Sequence, residues 1–249
     1  MISDIGSSFV EPYRNLDFVW TFLTRFLFTL GTAMIQTFGL YFLKDKVGPK
    51  YPILWYENAV KTPEQALAAF MIVILITGMC SSIIGGILSD RIGRKPIIMI
   101  SGLLVSIGCV AMCFVTNFNL ILIVSVFVGL GSGSYYGTDL SLANDIIGTK
   151  EAAKSIAIFQ LAQNFPVVLA NPVGGMLIVI GNSLSESNVV SIPFFGYVIM
   201  AAAAAVLTIS SSLLVMLVRS SNVMNAQQQE EARRFLNTPN SEDEHTESN

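Results

Sequence analysis

The chain has 249 residues, of which 53% are hydrophobic and only 12% charged, about half the charged share of a soluble domain. That balance excludes an ordinary water-soluble enzyme and predicts an integral membrane protein surrounded by lipid. A net charge of −3, with no basic tract or aromatic platform, gives no footprint for nucleic acid.

Residues 1–17 read as a polar cytoplasmic leader. Six apolar runs then follow, each long enough to cross a bilayer. They cover about residues 18–42, 66–89, 95–115, 119–147, 155–180 and 190–218. Each run is expected to be helical, because in lipid only helices and closed barrels satisfy every backbone polar group, and barrel strands are far shorter. The fold class expected is therefore all-α: a six-transmembrane-helix bundle over residues 18–219. Residues 220–249 form a cytoplasmic tail whose end, Ser-Glu-Asp-Glu-His-Thr-Glu-Ser-Asn, reads as acidic and disordered.

The first run holds a cation, Arg25, about two turns inside it. An unpaired guanidinium in hydrocarbon is costly, so Arg25 either faces a cavity or carboxylate or snorkels to the headgroups. After this run, residues 44–65 hold Lys44, Lys46, Lys50 and Lys61, and Trp55 and Tyr56 suit the headgroup level. Between the second and third runs lies Gly86-Ile87-Leu88-Ser89-Asp90-Arg91-Ile92-Gly93-Arg94-Lys95-Pro96. Three cations and a carboxylate within six residues force the chain out of the bilayer. Gly93 suits a turn with positive φ, and Pro96 suits the first turn of the next helix. With the N-terminus inside, nine cations (Arg14, Arg91, Arg94, Lys95, Lys150, Lys154, Arg219, Arg233 and Arg234) face the four outer lysines. That excess places both termini in the cytoplasm.

The fourth run is Gly-rich, with Gly129, Gly131, Gly133 and Gly137, a composition that lets helices approach closely in lipid. Asp139 and Asp145 stand towards its inner end, within reach of Arg91 or Arg94. The fifth run is the most polar: Gln160, Gln163, Asn164 and Asn171 recur at helical spacing and share a face. Four amides on one face line a bundle interior or a water-filled cavity rather than lipid, and uncharged amides suit a neutral, sugar-like solute. Pro166 and Pro172 offer places for that helix to bend.

Gly86-x-x-x-Asp90-Arg91-x-Gly93-Arg94-Lys95 resembles the signature loop of the major facilitator superfamily, which joins the second and third helices of a six-helix half on the cytoplasmic side. Residues 15–27 resemble the seventh helix of a bacterial and fungal group of these carriers. Residues 137–145 look like the end of their tenth helix, and Asn171-Pro172-Val173-Gly174-Gly175 is similar to a Gly-Pro-x-x-Gly-Gly pattern of their kinked helices. The resemblance implies half of a major facilitator fold, its C-terminal half, built as a 3+3 inverted repeat. It further implies a gating lock made from Gly86, Asp90, Arg91, Gly93, Arg94, Lys95, Asp139 and Asp145. A solute pathway along Arg25, Gln160, Gln163, Asn164 and Asn171 would lie deeper. The partners expected are a small solute, the lipid bilayer, and either a missing N-terminal half or a second half-carrier chain.

The function expected is transport of a small solute by alternating access, as half of a secondary carrier. The alternative is a non-transporting half-carrier that regulates or scaffolds a membrane partner. Enzyme chemistry is not expected. The only histidine, His245, lies in the tail, Cys80, Cys109 and Cys113 fall in apolar runs, and no nucleotide loop or nucleophile–base pair is present. No metal or other cofactor is implied.

Overall fold

The computed structural model describes residues 16–47, 51–53, 56–147, 152–186 and 194–218. Trp55, most of the leader and the whole tail lie outside them, as do Arg14, Lys50, Lys150, Arg219, Arg233 and Arg234. Six helices form: α1 Leu16–Phe42, α2 Pro63–Ile92, α3 Arg94–Phe114, α4 Phe118–Ile147, α5 Ala152–Glu186 and α6 Phe195–Leu214. All six are long and apolar enough to cross a membrane. The protein is an integral, multi-pass membrane protein with the six-helix bundle that its composition predicts.

Helix ends run past the apolar runs in several places. Hydropathy marks where hydrocarbon ends, whereas helix geometry continues until the backbone finds a stop. Thus α2 carries Asp90, Arg91 and Ile92 in its last turn and stops only at Gly93. Gly93 has φ +105°, and its amide donates to the Ser89 carbonyl at 3.0 Å. It is the entire connection, since α3 starts at Arg94. A side chain at this φ is strained, so Gly93→Val should lower stability by about 1–3 kcal/mol. Thermal unfolding of the detergent-solubilised protein measures this, and a midpoint equal to that of the parent chain refutes it.

Between α1 and α2 the chain makes a small feature that periodicity did not announce. After α1, Leu43–Val47 forms one π-helical turn, and β1 (Tyr51–Ile53) pairs antiparallel with β2 (Tyr56–Val60). Tyr51 is buried edge-on against Phe118, with ring centroids 5.5 Å apart, and its hydroxyl donates to the Leu43 carbonyl at 3.2 Å. Burial, and then the Glu64 charge, push the Tyr51 hydroxyl above its ordinary pKa, which keeps it a donor. The π-helical turn ties three helices together. Lys46 Nζ donates to the Cys113 carbonyl at 2.6 Å, capping the C-terminus of α3, and Tyr197 of α6 donates to Asp45 Oδ2 at 2.5 Å.

Packing follows a pattern. α4 lies against α2 and α3, α1 lies against α5 and α6, and α3 lies against α6. Exchanging α1, α2 and α3 for α4, α5 and α6 leaves this set of pairings unchanged. The contact α2–α4 becomes α5–α1, α3–α4 becomes α6–α1, and α3–α6 returns to itself. Two equivalent three-helix units are therefore present, and because three is odd the second enters the membrane from the opposite face, as an inverted repeat. The equivalent helices α2 and α5 stand at the edges. In their apolar stretches 11% and 17% of residues are buried, against 44–61% in the other four helices. Lys95 Nζ donates to the Val218 carbonyl, which brings the end of α6 to the α2–α3 turn.

Candidate functional site

The structure places the charged residues singled out as site candidates in two groups at different depths. At the membrane end that carries the α2–α3 turn, Arg94 pairs with Asp145 at 2.7 Å, both about a quarter exposed. Asp90 and Arg91 are exposed on the last turn of α2, and Asp90 is close enough to Asp145 to repel it. A partly exposed pair of this kind contributes no more than about 1 kcal/mol, so it forms and breaks easily. Gly86 meets nothing within 4 Å, so its missing side chain makes room for no residue of the described bundle.

Asp139 does not join this group, although its place towards the inner end of α4 suggested Arg91 or Arg94 as partners. It turns to α1, where Oδ2 accepts from Arg25 Nη1 at 2.8 Å. Depth explains the choice. Arg25 lies nine residues into α1 and Asp139 eight residues before the end of α4, so both sit about 12–14 Å from the same membrane face at 1.5 Å per residue. Asp145 lies only two residues from that end, level with the turn. Arg25 is 3% exposed and Asp139 fully buried, so the guanidinium does not snorkel; it is neutralised inside the bundle.

Three helices build the Arg25 site. Arg25 Nη2 donates to Gln163 Oε1 on α5. Phe159, one turn before Gln163, covers the guanidinium with its ring centroid 4.5 Å from Cζ, and Tyr136 lies 6.0 Å away on α4. A stacked and hydrogen-bonded frame stands behind the site. Phe28 stacks on Tyr135 with centroids 3.5 Å apart, the Tyr135 and Ser211 hydroxyls meet at 3.2 Å, and Ser211 donates to the Thr24 carbonyl at 2.7 Å. Thr24 precedes Arg25, and Tyr135 lies one turn before Asp139, so these bonds fix both partners of the ion pair. Arg25 Nε, Asp139 Oδ1 and Thr29 Oγ1 are buried with no hydrogen-bond partner among the described residues.

The four amides of α5 diverge. Gln163 turns to Arg25, Gln160 is half-buried, and Asn164 and Asn171 are exposed on the edge that no described helix covers. The helix remains continuous through Pro166 and Pro172. Phe159 and Thr29 escaped the reading of the sequence. The signal for both was spacing: Phe159 stands four residues before Gln163, and Thr29 four after Arg25, each on the face of its charged or polar neighbour.

Comparison with known proteins adds a family and three relatives. The model of the Major Facilitator Superfamily matches residues 18–240. The purine ribonucleoside efflux pump NepI of Escherichia coli is 25% identical over 84 residues, 34% of this chain and 21% of that protein. The minor myo-inositol transporter IolF of Bacillus subtilis is 24% identical over 127 residues, 50% of this chain and 29% of that protein. An uncharacterized MFS-type transporter of the same organism, YwoD, is 28% identical over 109 residues, 44% of this chain and 24% of that protein. The chain thus spans less than a third of the length of each of these relatives in the part that matches.

Proposed function

The chain belongs to the Major Facilitator Superfamily, and from that membership we propose that it forms one six-helix half of a secondary carrier that moves a small solute by alternating access. The observation that carries this reading is the buried Arg25–Asp139 pair with Gln163. Ionisable groups deep in a membrane bundle are expensive and mark solute or ion paths by default. The pathway of such a carrier runs between two halves. The thinly covered helices α2 and α5 are the natural edges for the other half, supplied by the same gene product or by a second chain. Asn164 and Asn171, exposed on α5, would then face the pathway rather than lipid.

The solute we favour is uncharged and sugar-like. The amides near the site carry no charge, and the charges of Arg25 and Asp139 cancel. The names of two relatives, for a purine ribonucleoside and for myo-inositol, point to the same kind of molecule. The test is uptake of labelled polyols, nucleosides and organic ions into vesicles that hold the chain with a second six-helix half. Background uptake of the whole panel would sink transport and leave a half-carrier that regulates or scaffolds a membrane partner.

The Arg94–Asp145 group is proposed as the cytoplasmic latch, with Gly86, Arg91, Gly93 and Lys95 around it. Asp90 repels Asp145, so Asp90→Asn should strengthen the Arg94–Asp145 pair and favour the state closed at this end. The shift is a few-fold, because an exposed pair contributes about 1 kcal/mol or less. Slower reaction of a thiol placed at this end with a soluble alkylating probe is the expected result. Unchanged or faster reaction would remove Asp90 from the latch.

A further inference from the structure

We infer that the Arg25–Asp139 pair and Thr29 clamp two adjacent hydroxyl groups of a net-neutral solute, an assignment that rests on the carrier reading above. Five buried side-chain atoms lack a hydrogen-bond partner in the described bundle; Arg94 Nη1 faces Asp145 and Thr138 Oγ1 lies beside Asp139, and the other three fit this role. Asp139 Oδ1 is an acceptor without a donor, Arg25 Nε is a donor without an acceptor, and Thr29 Oγ1 can act as either. Each is buried, and the first two belong to the same ion pair. Thr29 stands one turn from Arg25 on the same face of α1. Native interiors leave few buried polar atoms unmatched. Three on one ion pair and its neighbouring turn call for a ligand that brings a donor and an acceptor side by side. A vicinal pair of hydroxyls does this: one donates to Oδ1, and the oxygen of its neighbour accepts from Nε–H.

Charge narrows the class. Arg25 and Asp139 cancel, so a neutral solute adds no uncompensated charge to a low-dielectric site, whereas an anion or cation leaves one. The cover over the clamp identifies the moving part. Phe159 and Gln163 lie on α5, an edge helix held mainly by α1 and α6. The solute reaches Arg25 when α5 shifts and Gln163 Oε1 gives up Nη2. Tyr135, Ser211 and Thr24 keep α1, α4 and α6 in place as it does.

The experiment compares methyl ribofuranoside, which has one vicinal hydroxyl pair on its ring, with its 2-deoxy counterpart and with ribose 5-phosphate. The full chain, purified in lipid nanodiscs, is heated with each at millimolar concentration. The ribofuranoside should raise the unfolding midpoint at concentrations at least about tenfold lower than the deoxy sugar, as expected for a lost hydrogen bond in a buried site. The phosphate should not raise it at all. Thr29→Val keeps the size and the ion pair and should narrow the gap between the two sugars. Asp139→Asn should abolish it, and because that variant also leaves the Arg25 charge without its counter-ion the Thr29 result stands alone. Equal stabilisation by both sugars, tighter binding of the phosphate, or no stabilisation by any of the three would overturn the clamp. Vesicle uptake separates the two readings. Uptake without preference for vicinal hydroxyls defeats the clamp and leaves the carrier standing, and no uptake of any solute defeats the carrier.

Discussion

Replacing Asp139 with Leu should destabilise the protein by about 3–5 kcal/mol, because it strands the Arg25 charge in the bundle interior. Arg25→Leu should cost a similar amount through the stranded carboxylate. The double variant, Arg25→Leu with Asp139→Leu, should recover most of that loss. Two apolar side chains of similar volume need no desolvation, and replacing a buried ion pair in this way is often neutral or stabilising. The ion pair, 2.8 Å long and at most 4% exposed, offers solvent no route to soften either single change. Unfolding midpoints of the four proteins in detergent complete the cycle. If the single losses simply add in the double variant, the two side chains do not share one interaction and the site is misassigned. Under the carrier reading the rescued double variant remains inactive in uptake. Stability restored without transport would show that the pair is kept for what it does to the solute, since two leucines hold the helices together as well.

That pair also shows where the sequence was informative and where it was not. Spans, the Gly93 turn and the helical class depend on chemistry within a few residues, so they could be read directly: a charge ends a span, and a glycine permits φ +105°. The cost of a membrane-embedded arginine could be read as well, and it demanded a partner for Arg25. The identity of the partner could not be read from proximity along the chain, because Asp139 lies 114 residues away. Asp90, Asp139 and Asp145 all stand towards one membrane end, and closeness to the turn drew Asp139 towards the latch. Counting rise along each helix would have separated them, because only Asp139 matches Arg25 in depth. The β1–β2 pair is different. Two short strands beside a π-helical turn carry too little periodicity to be seen, and they exist because Tyr51 finds Phe118 and the Leu43 carbonyl.

The inverted repeat followed from the resemblance to the family, not from any repeat of residues. No internal identity marks the two three-helix units, yet their helices pair in equivalent ways. Packing of this kind is specified by small residues and shape rather than by matching letters, so repeats can diverge in sequence and keep their contacts. Functional asymmetry follows. α2 carries Asp90 and Arg91 at its end, while its counterpart α5 carries Gln163 and Phe159 deeper in the bundle, so under the carrier reading equivalent edge helices serve different tasks.

Gly133→Leu should prevent the bundle from holding α2. A Cβ at Gly133 would fall inside the van der Waals envelope of the Gly78 carbonyl oxygen and 2.6 Å from the Gly78 Cα, and a Cβ at Gly129 would stand 2.8 Å from the Ile74 carbonyl oxygen. These are backbone atoms, which move only if the helices separate. Separation also breaks the serine bonds across the seam, where Ser134 Oγ donates to the Ser81 carbonyl at 3.0 Å and Ser81 Oγ reaches the Leu130 carbonyl. Lipid tails are as apolar as leucine, so no hydrophobic gain returns α2 to α4 once close packing is lost. Overpacking costs about 1–3 kcal/mol where a core can adjust, and the upper end applies to a seam of facing backbones. Gly86→Leu on α2, the helix that Gly133 packs against, is the control. Gly86 meets nothing within 4 Å, so its change should stay within about 0.5 kcal/mol, as for other surface sites. Unfolding midpoints of the two variants decide the matter, and equal values would dissolve the argument that the α2–α4 seam is held by contact between backbones. Because α2 carries Asp90 and Arg91 to the latch, Gly133→Leu should also release that end. A thiol placed beside Arg94 should then react with a soluble probe at a rate that no longer depends on the residue at position 90.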